Sequence, residues 1–262
     1  MERYTYKRLK DSMPEWKRKK DPILTRFFYR PVSFYVSSVC ANHNVSANTV
    51  SFMSTFAAIF TCICFIIPDY ILHIVGAILC NVWLLMDCID GNLARGVKKQ
   101  PFGAFADSMS SYLLVGLLCT SLGIASFYDG GILISPNTPW IIVIGAFASS
   151  SDSLMRLIYQ KYINTEKELE ERGILQSEKD IHKDIKQVRS FIVRVDEECG
   201  IGGILPSLIL LATIFGFLDV VVIYCFCFYG LACVCSVVKY TKKAIMKARK
   251  YQKIFDEKTS SI

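Results

Sequence analysis

Residues 49–68 read TVSFMSTFAAIFTCICFIIP, a run with no charged side chain over about the 20 residues that a helix needs to cross a hydrocarbon layer. Such blocks recur along the chain. Tyr70–Met86 makes a second apolar run, Ala104–Tyr128 a third and Trp140–Tyr159 a fourth, and Ile201–Val238 is long enough for two more, broken near Leu218-Asp219. The chain of 262 residues is 52% hydrophobic, with a mean hydropathy of +0.35, which is too apolar for an ordinary soluble domain. The expected fold is all-α: a polytopic membrane protein with six transmembrane helices.

The connections at Pro68-Asp69-Tyr70, Tyr128–Pro139 and Asp219 carry no Lys or Arg, so the basic residues gather on the other side, which should be the cytoplasm. Both termini and the link after Asp87 are then expected to face inward. Residues 1–45 read as a cytoplasmic arm with an interfacial amphipathic helix, because Pro22–Val45 mixes Phe27, Phe28, Tyr29, Phe34 and Tyr35 with Arg26 and Arg30. Met1–Lys20 is charged throughout, so no cleavable signal peptide is expected. Residues 46–240 would form the six-helix membrane domain, with a charged cytoplasmic helical insert at about 161–198, and 241–262 a basic tail. Lys239–Lys253 suits anionic lipid headgroups and fits the net charge of +7; no nucleic-acid partner is expected. In the insert, Thr165 followed by Glu168 fits a capping box, Ser177 is a second candidate cap, and His182 reads as a solvated side chain. The eleven cysteines lie mostly in apolar runs, several paired at i,i+2, and read as small hydrophobes.

The segment Asp87–Ser111 breaks the apolar pattern with three carboxylates and two small-residue gaps. An ionised carboxylate at the edge of a hydrocarbon layer is unfavourable by several kcal/mol unless it is paired or binds a cation. Asp87 and Asp90 share one helical face, and Gly103, Asp107 and Ser111 share a face of the next helix. Three such oxygens form a hard-ligand set suited to Mg²⁺ or Mn²⁺. Gly91 and Gly103 remove side chains beside them, Ala94 is small, and Arg95 offers a permanent cation, which together suit a diphosphate.

The pattern Asp87-x2-Asp90-Gly91-x2-Ala94-Arg95 followed by Gly103-x3-Asp107 closely resembles the signature of the CDP-alcohol phosphotransferases (CDP-alcohol phosphatidyltransferases). Arg30-Pro31-Val32-Ser33 and Ser46-Ala47-Asn48-Thr49-Val50 are similar to the arm and first-span start of that family. The resemblance implies a membrane transferase that moves a phospho-alcohol from a CDP-linked donor to a lipid or phosphorylated acceptor and releases CMP, in phospholipid or surface-glycan synthesis. It also implies two divalent ions on Asp87, Asp90 and Asp107, a nucleotide pocket lined by Gly91, Ala94, Arg95 and Gly103, an acceptor-phosphate contact from Arg156, and a homodimer.

The loop Gly96–Phe102 is one residue shorter than the family pattern, and Ser111 stands where the signature has a fourth aspartate, the proposed base. A serine hydroxyl cannot serve alone in that role. Three explanations stay open: Asp152, four residues before Arg156, replaces the base; the acceptor is already anionic, as a lipid phosphate would be; or binding persists without catalysis. A separate class, an ion-coupled transporter, would place its carboxylates near the bilayer midplane, whereas Asp87 and Asp90 end a span beside a basic loop.

Overall fold

The computed structural model describes residues 3–172 and 197–259, and every regular element among them is helical. Two short helices, α1 (Tyr6–Asp11) and α2 (Glu15–Lys20), precede a π-helical turn at Thr25–Tyr29 that continues directly into α3 (Arg30–Asn42). The bundle itself comprises α4 (Ala47–Ile66), α5 (Tyr70–Gly96), α6 (Gly103–Asp129), α7 (Trp140–Glu171), α8 (Leu205–Phe215) and α9 (Leu218–Thr259).

Local chemistry sets the ends. Ser46 caps α4 by accepting from the Thr49 N–H at 3.1 Å, and Asp69 caps α5 through the Leu72 N–H at 2.9 Å. Gly216, at φ 72°, takes the left-handed conformation that stops α8 and lets α9 begin two residues later, which is the expected break. Five helices, α4 to α7 and α9, are long and apolar enough to cross a membrane. The sixth expected span falls short: α8 has 11 residues, or about 16 Å at 1.5 Å per residue, because the chain at 201–204 turns instead of adding to the helix.

Packing contacts run in a closed ring, α4 to α6 to α7 to α9 to α8 to α5 and back to α4. Inside it Phe65, Leu84, Leu118, Leu122, Ile209 and Val222 form the core, while Phe52, Phe56, Phe60, Phe147 and Leu231 point outward. That pattern is unstable in water and natural in lipid. Helix α3 is similarly inverted: Arg30, Ser33 and Ser37 are buried against α5, and Val32, Tyr35 and Val39 are exposed, as is Phe28 in the turn before it.

Helix α7 runs unbroken through Thr165 and Glu168, so no helix starts there and the capping box is not formed. A cap needs extended backbone at its first residue, and Thr165 lies inside a continuous helical ladder. Ser177 and His182 lie outside the described residues. Beyond the apolar part, α7 and α9 stay together through the rings of Tyr162 and Tyr240, 5.1 Å apart, and an ion pair between Glu166 and Lys247.

At the end of the bundle far from Asp87, the fully buried Asp219 accepts from the backbone N–H groups of Ile132, Leu133 and Ile134 at 3.2, 2.7 and 2.9 Å. Asp219→Ala strands those donors and is expected to lower unfolding free energy by about 2 kcal/mol or more. Denaturant titration in mixed micelles measures it. A change within about 0.5 kcal/mol would mean that water satisfies the loop instead.

Candidate active site

The last third of α5 carries Asp87 and Asp90 one turn apart, and α6 restarts after a short loop with Asp107 in its second turn. Phe102 supports the restart by adopting φ 57° immediately before Gly103. The side chains of Asp87 and Asp107 are in hydrogen-bonding contact across the two helices, and Asp90 is near enough to interact with both charges. Two carboxylates in contact repel unless a cation or a proton lies between them. Asp90 is buried and its Oδ2 accepts from Ser51 Oγ of α4 at 2.5 Å. Turned toward Ser51, it leaves the described residues without three acidic, His or Cys side chains converging on one point. The donor chemistry still fits a divalent ion: an oxygen pair in contact, with a third carboxylate one turn away.

Beside Asp87 opens a cavity of about 290 Å³ whose walls come from α2 and the arm, α7, and residues 200–202. Here the structure brings Asp152 and Arg156 to Asp87. Arg156 Nε donates to Asp152 Oδ1 at 3.2 Å, and its guanidinium lies over the Tyr112 ring at 5.8 Å. Across the cavity, Arg30 Nε donates to Asp21 Oδ2 at 2.7 Å and Nη2 to Asp21 Oδ1 at 3.0 Å, a two-pronged pair that is buried. Burial alone disfavours the Arg30 charge, but the Asp21 hydrogen bonds and the nearby Asp87 outweigh it and hold its pKa above the ordinary arginine value. Arg30 Nη1 also donates to Asn92 Oδ1 at 3.3 Å, tying the arm to α5.

The remaining expected residues are distributed differently. Arg95 is exposed and folds back over Gly91: a Cβ at 91 would meet its Nη2 at 2.9 Å, and that nitrogen donates to Asn92 Oδ1 at 3.2 Å. Gly91 therefore makes room for Arg95 in this arrangement. Ala94 packs into a small cluster with Ala47, Val50 and Leu93. A Cβ at Gly103 would lie 3.3 Å from Asn48 Oδ1, whose amide Nδ2 donates to the Pro101 carbonyl at 2.9 Å. Ser111 is half-buried and does not line the cavity. Its neighbour Ser110 is the buried one, bonded to Ser54 and to Trp83 Nε1 at 2.7 Å each.

Residues 44–173 match the family model described as CDP-alcohol phosphatidyltransferase. The chain belongs to that family. No curated protein matches it. Members transfer a phospho-alcohol from a CDP-alcohol in phospholipid synthesis and generally use divalent metals, so the chain is a membrane transferase of that class. The matched segment holds Asp87, Asp90, Asp107, Asp152 and Arg156. The other walls of the cavity, with Lys17, Asp21, Arg30 and residues 200–202, lie outside it.

Sequence reading missed Asp21, Ser51 and Asn92, and took Arg30 for an interfacial cation. Ser51 stands one turn after Ala47 at the start of the first span, a place where a hydroxyl facing Asp90 was foreseeable. Asp21 ends the run Glu15–Asp21, in which every residue but Trp16 is charged, so nothing in the pattern distinguishes it.

Proposed function

We propose that the chain moves a phospho-alcohol group from a CDP-alcohol to a neutral alcohol acceptor held in the cavity beside Asp87, with release of CMP. The observation that carries this reading is the convergence of Asp152 with Asp87 on one cavity while Ser111 stays outside it. Asp152 then takes the place of the fourth aspartate as base. Divalent ions on Asp87, Asp90 and Asp107 would neutralise the donor diphosphate. The acceptor hydroxyl gives its proton to Asp152 as its oxygen bonds to the distal phosphorus, and the bond from that phosphorus to CMP breaks. Arg156, fixed by Asp152 and the Tyr112 ring, orients the acceptor.

Charge balance favours a neutral acceptor over a phosphorylated one. The cavity's four cations each have a carboxylate partner: Lys17 and Arg30 pair with Asp21, Lys20 with Glu197, and Arg156 with Asp152. A phosphate dianion would have to displace those pairs and meet Asp87. The distribution of Lys and Arg supports a cytoplasmic position for the Asp87 end of the bundle and for both termini.

The test uses purified protein in detergent with Mn²⁺, CDP-alcohol donors, and neutral or phosphorylated alcohols as acceptors, with CMP as readout. CMP should appear with a neutral alcohol. Asp152→Asn should lower kcat about 10²–10⁴-fold, the usual worth of a general base, with little change in donor KM. Turnover that survives Asp152→Asn, or that needs a phosphorylated acceptor, overturns the assignment of the base. Failure of every donor and acceptor overturns catalysis.

A further inference from the structure

Helix α4 is an apolar span with a polar seam. Asn48, Ser51 and Ser54 recur every three residues, and the helix packs this side against the two helices that carry the aspartates. Each of the three reaches a different element. The Asn48 N–H donates to Gln100 Oε1 at 3.4 Å in the loop before α6, Ser51 Oγ donates to Asp90 Oδ2 of α5 at 2.5 Å, and Ser54 Oγ is 2.7 Å from Ser110 Oγ of α6. Ser51, Ser54, Asp90 and Ser110 are all buried.

The hydrogen bonds of the seam run in one direction. An indole N–H can only donate, so Ser110 Oγ accepts from Trp83 at 2.7 Å and donates to Ser54 Oγ, whose own hydroxyl donates to the Ser51 carbonyl at 2.7 Å. This chain fixes the backbone of Ser51 relative to α5 and α6. The Ser51 hydroxyl has a single proton and two acceptors within reach, the Ala47 carbonyl at 3.2 Å and Asp90 Oδ2 at 2.5 Å. A serine inside a helix commonly bonds the carbonyl four residues back. Here the shorter distance and the carboxylate charge assign the proton to Asp90.

We propose that Ser51 is the positioning residue for Asp90: its hydroxyl holds Oδ2 and so presents Oδ1 to a divalent ion shared with Asp87 and Asp107. The inference rests on the reading that these aspartates hold divalent ions, and it adds the group that orients one of them. Asp87 and Asp107 locate each other by contact, whereas Asp90, a turn along α5, is held from α4. A neutral hydroxyl suits this task because it orients the carboxylate without cancelling the charge that attracts the ion, as a lysine or arginine there would. Groups that orient a metal-binding side chain are typically worth about 10–100-fold in metal affinity.

The experiment titrates the full chain in detergent with Mn²⁺ and reads the free ion by electron paramagnetic resonance. Ser51→Ala should weaken Mn²⁺ binding about tenfold or more, and Ser51→Thr, which keeps the hydroxyl, should stay within about threefold of the parent. Ser54→Ala removes a buried hydroxyl from the same seam without touching Asp90 and should change the affinity less than about twofold. Asp90→Asn keeps Asp87 and Asp107, so weaker binding persists at higher Mn²⁺. In that background Ser51→Ala should add less than about a twofold effect, because it acts through Asp90. Equal or tighter binding by Ser51→Ala, equal losses in Ser51→Ala and Ser54→Ala, or an undiminished loss in the Asp90→Asn background overturns the positioning role and leaves the ion reading intact. A parent that takes up no Mn²⁺, or an Asp90→Asn variant that binds as the parent does, overturns both.

Discussion

Asp107→Asn is expected to reduce CMP release by about 10³-fold or more while leaving the metal-free protein as stable as the parent, or more so. The two effects have opposite signs for one reason. Asp87 and Asp107 touch across α5 and α6, so in the absence of a cation the folded state contains a like-charge contact. Removing one charge relieves that contact, and for a solvent-accessible group such as Asp107 the gain is at most about 1 kcal/mol. The same charge is what a donor diphosphate and its counter-ions would require during transfer. Function and stability are therefore in opposition at this position. Melting curves with EDTA and with Mn²⁺ separate the effects: the parent should gain stability from Mn²⁺, and the variant should lose most of that gain. A variant that is both inactive and clearly less stable in EDTA would mark Asp107 as a packing residue and remove it from the site.

How far the sequence reaches is visible from particular residues. The spans at α4, α5 and α6 could be read because uncharged stretches of membrane length have no other stable fold, and their ends carry recognisable caps at Ser46 and Asp69. The α8–α9 break was legible near Leu218-Asp219, and the structure puts it at Gly216. The fourth span from Trp140 was legible too, but the unbroken continuation of α7 to Glu171 was not, since Thr165 and Glu168 have capping chemistry while α7 stays against α9 through Tyr162 and Tyr240. Short α8 was hidden for a different reason: hydropathy counts apolar residues, and the turns at 201–204 are apolar too. Within the site, i,i+3 spacing put Asp87 and Asp90 one turn apart on α5 because a helix repeats its own faces, whereas the approach of Asp107 to Asp87 depends on how α6 packs. Spacing carries no information about pairs 58 to 65 positions apart, so the meeting of Asp87 with Asp152 needed the bundle. The turn of Asp90 toward Ser51 needed it too.

Arg30→Ala should be among the most destabilising single changes outside the spans, at about 3–5 kcal/mol, the range for breaking a buried ion pair from one side. Arg30 and Asp21 are both buried, and the guanidinium also reaches the Cys88 carbonyl and Asn92 Oδ1. Removing it leaves the Asp21 carboxylate in the interior without the two hydrogen bonds that Arg30 supplies, with Lys17 Nζ at 3.5 Å as its ion-pair partner among the described residues. Asp21→Asn with Arg30→Gln removes both charges, so the double variant should be less destabilised than Arg30→Ala alone even though it lacks the pair. The loss should also be felt in the site. Asn92 Oδ1 accepts from both Arg30 and Arg95, and Asn92 Nδ2 donates to Ser33 of α3 at 2.9 Å, so this one amide joins the arm to the arginine beside Gly91. Denaturant titration of the single and double variants gives the coupling energy. Values below about 0.5 kcal/mol would mean that the arm is docked by its apolar contacts, such as Phe34 with Leu9 and Met13, and that the ion pair serves orientation alone. A coupling of several kcal/mol would make the pair the element that holds the arm, with Lys17 and Lys20, over the cavity beside Asp87.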